Sequence, residues 1–90
     1  MILIFGGTTE GRTAAETLDE AGQPFYYSTR GTLQEVTCRN MTRLTGNMDS
    51  EKIISFCREH DIRLIIDAAH PFAQQLHLNI FLAAKELTIK

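Results

Sequence analysis

The sequence predicts an α/β fold, an open parallel sheet with helices on both faces. Three observations lead there. Short runs that are apolar throughout, such as Ile2 to Phe5 and Ile62 to Ile66, read as strands buried on both sides. Each of these two is followed by a stretch whose apolar residues recur at helical spacing. A pair of glycines, Gly6 and Gly7, stands where the first strand must turn into the first helix. Strand and helix in alternation imply parallel pairing with right-handed crossovers.

The elements follow in order. After Ile2 to Phe5, the positions Ala14, Ala15, Leu18 and Ala21 define one stripe of a helix starting near Glu10. Gly22 is its expected C-cap, with Pro24 shortly beyond. Phe25 to Thr29, aromatic and hydroxyl-rich, suits a second strand. Residues 30–48 read less clearly. Leu33 and Val36 fit one turn of helix, and Met41 to Thr45 fit a third strand ending at Gly46. Asp49 is the expected N-cap of a helix that turns Ile53, Ile54 and Cys57 inward. The strand Ile62 to Ile66 ends at Asp67, and Pro71 suits the first turn of a last helix through Leu76, Ile80, Ala83, Ala84 and Leu87. The rhythm calls for another strand after that. Residues 1–90 are therefore expected to be the front part of a longer protein.

Composition narrows the function classes. With 90 residues there is room for one small domain. The apolar fraction of 43% and charged fraction of 22% are those of a globular chain, not of a disordered one or a coiled coil. A net charge of −2 offers no basic excess for nucleic acid. No apolar run approaches the roughly 20 residues of a membrane span, and no signal peptide is evident. A cytoplasmic location is the simplest expectation. The two cysteines, Cys38 and Cys57, suggest neither a disulfide framework nor a zinc site.

Three segments carry candidate chemistry. The first is GGTTEG at residues 6–11. Glycines allow a sharp turn and close approach of a ligand, while the helix start offers free N–H groups and a positive dipole end. A dinucleotide pyrophosphate is the usual anion there in a Rossmann-like fold. The match to G-x-G-x-x-G is incomplete, because Thr8 stands at the middle glycine position. Gly6, Gly7, Thr8 and Thr9 are the candidate phosphate contacts, with a hydroxyl assisting. The plain alternative is a turn that only connects strand to helix. Glu10 suits the helix dipole but would repel a phosphate directly above it.

The second segment is Ser28-Thr29-Arg30, at the end of the second strand. An NAD site usually has a carboxylate there. An arginine and two hydroxyls suit the 2′-phosphate of NADP instead. A solvated loop arginine is the competing reading of Arg30.

The third segment, Asp67-Ala68-Ala69-His70-Pro71-Phe72-Ala73, follows the clearest strand, so it belongs on the same carboxyl edge. Pro71 restrains His70 toward extended backbone at the mouth of the crevice. His70 could donate to a cofactor or a substrate carboxylate, or serve as the helix N-cap. Asp67 is expected to anchor the loop through backbone N–H groups. His60 is expected to complement a helix dipole. With no nearby carboxylate expected for His70 and His77, no metal site is predicted. Phe25, Tyr26 and Tyr27 read chiefly as strand packing, with a tyrosine lining an adenine pocket as the alternative.

These segments together resemble the precorrin-6A reductase family of corrin-ring biosynthesis, including its cobalt-precorrin-6A branch. The resemblance rests on ILIFGGTTEGR at residues 2–12 and LIIDAAHPFAQQLHLN at residues 64–79, with RLTGNMD at residues 43–49 as a weaker match. It covers most of the chain. Ala69 departs from it, standing where the family usually has Thr or Ser.

The resemblance implies a two-domain reductase in which residues 1–90 are the dinucleotide-binding part and a C-terminal domain closes the cleft. Hydride would pass from a reduced nicotinamide to one double bond of the tetrapyrrole-derived macrocycle. Gly6, Gly7, Thr8 and Thr9 would then face the pyrophosphate, and Gly46 would lie beside the cofactor. Asp67 and His70 would shape the nicotinamide end, His70 being the candidate proton donor. Arg30 favours NADPH over NADH. The competing functions are a non-enzymatic dinucleotide-binding or regulatory module and a flavodoxin-like or receiver-like interaction domain. The first has no need of the DAAHPFA segment. The second would cluster acids near the first strand, where only Glu10 is found.

Overall fold

The computed structural model describes residues 1–31 and 38–89. Seven elements run in the order β1 (Ile2–Phe5), α1 (Thr9–Glu20), β2 (Phe25–Thr29), β3 (Met41–Thr45), α2 (Ser50–Glu59), β4 (Leu64–Asp67) and α3 (Gln74–Leu87). The four strands form one sheet in the order β3-β2-β1-β4, and every pair is parallel. This is the open α/β sheet that the sequence predicts. The turn of helix expected at Leu33 and Val36 lies outside the described residues.

The pleat of β1 divides the core in two. Leu3 and Phe5 point to one face, where Ile53 and Cys57 of α2 and Ile80 and Ala83 of α3 cover them. Ile4 points to the other face, where it packs with Phe25, Tyr27 and Ala15 of α1. Side chains as deeply buried as Phe5 each contribute about 1.5–3 kcal/mol of transfer free energy. Burial also pushes the Cys57 thiol up to about 11.

Helix ends are set by local chemistry. Thr8 Oγ1 accepts the N–H of Gly11 at 3.1 Å and caps α1. Asp49 Oδ1 accepts the N–H of Lys52 at 2.8 Å and caps α2, as the sequence predicts. Ala21 is the C-cap of α1, and Gly22 beyond it takes the left-handed φ of 71°. Ala21 is exposed rather than part of the apolar stripe.

Two boundaries differ from expectation. Strand β4 starts at Leu64, because the Ile62 N–H goes to the carbonyl of Cys57 and draws Ile62 under the end of α2. Helix α3 starts at Gln74 with Ala73 as N-cap, so neither Pro71 nor His70 takes the expected place in the first turn or at the cap. His70 instead closes a turn ahead of the helix. Its carbonyl accepts from Ala73 N–H at 2.9 Å, and its ring Nδ1 accepts from Phe72 N–H at 3.2 Å. No helix among the described residues is long and apolar enough to cross a membrane.

Candidate functional site

Strand β1 is the switch point of the sheet. The crossover through α1 leads to β2 on one side, and the crossover through α2 leads to β4 on the other. The loops leaving Phe5 and Asp67 therefore diverge at neighbouring strand ends, which are paired in register. Ligands of open α/β sheets bind in the crevice formed this way. A cleft of about 910 Å³ lies there. That is near the upper end of the volumes usual for small-molecule sites.

The glycine loop forms one wall. Gly6 takes over from β1 by donating to the Ser28 carbonyl at 2.8 Å. A Cβ at Gly6 would fall 2.2 Å from the Tyr27 ring, so only glycine fits above this buried tyrosine. Tyr27 Oη accepts the Gly7 N–H at 3.2 Å. Gly7 itself has φ +100° and faces open space. The tyrosine thus holds the loop from beneath, a role beyond the strand packing expected of it.

The ends of β2 and β3 form the second wall. Ser28 is buried and lies against Met48 Sδ at 3.9 Å. Arg30 is exposed, and its Nε donates to Asn47 Oδ1 at 3.1 Å. That bond steers the guanidinium along the cleft rim while its terminal nitrogens remain outside the Asn47 contact. The Gly46 N–H donates to the Thr29 carbonyl at 3.1 Å, joining the two strand ends. Among the described residues that line the cleft, Arg30 is the one cation and Asp49 the one carboxylate. Asp49 Oδ1 is engaged in capping α2, and Arg30 is the group of this rim that can pair with an anion.

The loop from β4 to α3 forms the third wall. Asp67 Oδ1 accepts the Ala69 N–H at 3.2 Å, the anchoring that the sequence predicts. Asp67 Oδ2 lies 2.5 Å from Nδ1 of His77, and His77 Nε2 lies 2.9 Å from the carbonyl of His70. The absence of a carboxylate near the two histidines is thus corrected: α3 carries His77 back onto Asp67. The Asp67 hydrogen bond raises the His77 pKa first, and the His70 carbonyl adds to it against a smaller desolvation effect. No group of three or more His, Cys, Asp or Glu suited to a metal occurs among the described residues.

Of the residues singled out from sequence, Gly6, Gly7, Ser28, Arg30, Gly46 and His70 meet on this one cleft. Thr8, Thr9 and Asp67 are not among the residues that line it. Thr8 Oγ1 donates to the Ala68 carbonyl and caps α1, so it ties the first wall to the third. Sequence reasoning missed Tyr27 Oη, Asn47 and His77. His60, expected to serve a helix dipole, is the C-cap of α2, and its Nδ1 lies 3.0 Å from Tyr26 Oη away from the cleft.

Fold and site together define a doubly wound α/β domain with a cleft at its switch point. The chain belongs to the precorrin-6x reductase CbiJ/CobK family, whose model matches residues 1–90. It is 31% identical over 91 residues to a cobalt-precorrin-6A reductase of Priestia megaterium, covering 99% of this chain and 36% of the relative. It is 35% identical over 89 residues to a precorrin-6A reductase of a Sinorhizobium species, covering 93% of this chain and 33% of the relative. The solved structure of a CobK precorrin-6A reductase superposes with a TM-score of 0.87 at 26% identity, over 98% of this chain and 36% of that one. The chain thus spans about a third of the length of these relatives.

Proposed function

We propose that this chain is the dinucleotide-binding part of a reductase that uses NADPH to saturate one double bond of precorrin-6A or cobalt-precorrin-6A, in the cytoplasm. The observation that carries the reading is the glycine loop at the switch point, held by Tyr27 and open to the cleft above Gly7. A pyrophosphate needs such a close approach of backbone and the start of a helix.

The residues present fit the cofactor. Gly7 faces open space and gives the phosphates room, while Gly6 seats the loop on Tyr27 and lines the cleft beside it. Thr9 opens the first turn of α1, and Thr8 fixes that turn through Gly11. Ser28 and Gly46 line the cleft beyond the glycine loop and are the candidate neighbours of the ribose. Arg30, oriented by Asn47, offers a cation for a 2′-phosphate, which is why NADPH is preferred to NADH. Asp67 anchors the loop that carries His70. His70 accepts from Phe72 through Nδ1, so a neutral ring holds its proton at Nε2, where it serves as the candidate donor to the substrate. Nicotinamide supplies the hydride, and the chain supplies orientation and charge. The macrocycle would be enclosed by a second domain, so residues 1–90 alone should turn over substrate poorly.

Calorimetric titration with NADPH and with NADH, on the chain and on Arg30→Ala, tests this reading. NADPH should bind, and Arg30→Ala should weaken it about tenfold, the loss of one exposed charge-assisted contact. NADH affinity should stay unchanged. Absence of binding by either cofactor, or equal weakening of both, contradicts the proposal.

A further inference from the structure

His77 lies behind the third wall and takes no part in the cofactor contacts proposed above. Both of its ring nitrogens nevertheless face acceptors. Nδ1 meets a carboxylate oxygen of Asp67 at 2.5 Å, and Nε2 meets the backbone oxygen of His70 at 2.9 Å. A neutral imidazole carries one N–H and can serve only one of them. The imidazolium carries two and serves both.

The two acceptors sit at opposite ends of a short stretch, the end of β4 and the turn ahead of α3. Between them Ala69 is bound to the other oxygen of Asp67, and beyond them Phe72 N–H is bound to the His70 ring. Ala69, His70 and Phe72 all line the cleft. We propose that His77 is a positioning residue: as an imidazolium it clamps Asp67 to the carbonyl of His70 and so sets the cleft wall made by Ala69, His70 and Phe72.

The surroundings suit this role. Asp67, arriving from β4, is the charged group that His77 meets. The side chains of His77 and Asp67 are 32% and 28% exposed, so water can exchange the proton. Deprotonation would release one of the two contacts, and the wall would loosen as the pH rises. The clamp stands on the chain alone. Only its consequence for binding rests on the proposed cofactor reading.

The test is an NMR titration of the chain without cofactor, from about pH 5 to about pH 9, across the usual imidazole range. The His77 ring should stay protonated to higher pH than an ordinary histidine. The amide signals of Ala69 and Phe72 should move with the same midpoint, and that midpoint should vanish in His77→Gln. A His77 ring that titrates at or below the ordinary value overturns the proposal, and so do Ala69 and Phe72 signals that ignore its titration. NADPH affinity, measured over the same range, should fall severalfold through that midpoint in the chain but not in His77→Gln. Affinity that is independent of the His77 midpoint removes the positioning role. Failure of NADPH to bind at any pH faults the cofactor reading, while the ring and amide titrations still decide the clamp.

Discussion

The two loops that begin at the ends of β1 and β4 leave neighbouring strands at the same level, yet they are held in different ways. The glycine loop rests on Tyr27, a buried side chain that meets it through the tip of its ring and its hydroxyl. The loop after Asp67 is partly exposed, and it is held by a carboxylate and an imidazole. Buried neutral packing gives shape that depends little on solution conditions. A charged clamp near water gives shape that depends on protonation. One cleft thus combines a fixed wall with an adjustable one, and Thr8 joins them through the Ala68 carbonyl.

The fixed wall can be broken most severely by Gly6→Ala. Its methyl group would meet the Tyr27 ring at 2.2 Å, and the ring is fully buried. Overpacking of this kind costs about 3 kcal/mol, which urea denaturation would read directly. Unchanged stability would mean that Tyr27 can swing away and that the wall is not fixed. Tyr27→Phe is the milder change. It removes the acceptor of the Gly7 N–H and should cost about 1 kcal/mol in the same urea denaturation.

The adjustable wall should show the opposite behaviour in His77→Gln. His77 gains its partners on folding, so its folded pKa lies above the unfolded value of about 6.5. The folded state then binds the proton more tightly, and stability falls as the pH rises between the two values. The contribution of His77 is complete below about pH 6.5 and is lost through the folded pKa. Thermal melts at several pH values should show this small decline in the chain and not in His77→Gln. An identical pH profile for both would erase the contrast between the walls.

Much of the fold is legible in the sequence because it rests on local periodicity. The apolar run Ile2 to Phe5, the stripe through Ala15 and Leu18, and the cap at Asp49 each follow from residues close in the chain. The glycine loop and the DAAHPFA segment could be brought to one edge because a parallel sheet puts all its strand carboxyl ends there. The contacts that shape the cleft were less accessible. Tyr27 lies beneath Gly6 because β2 pairs with β1 in the register Phe5 to Ser28, which no local pattern states. Asn47 reaches Arg30 across two strand ends. His77 meets Asp67 only because α3 begins at Gln74, and Pro71 suggested an earlier start. An acid at a strand end followed by a histidine one turn into the next helix is the signal that could have found it.

The cleft at the switch point is proposed as the cofactor site. Amide NMR spectra of the chain with and without NADPH test this most directly. With the cofactor in this cleft, Gly6, Gly7, Gly46 and Ala69 should shift together on binding, while the exposed Ser55 and Arg58 of α2 should stay in place. Shifts that gather around α2, or that leave Gly6, Gly7 and Ala69 unmoved, would contradict it.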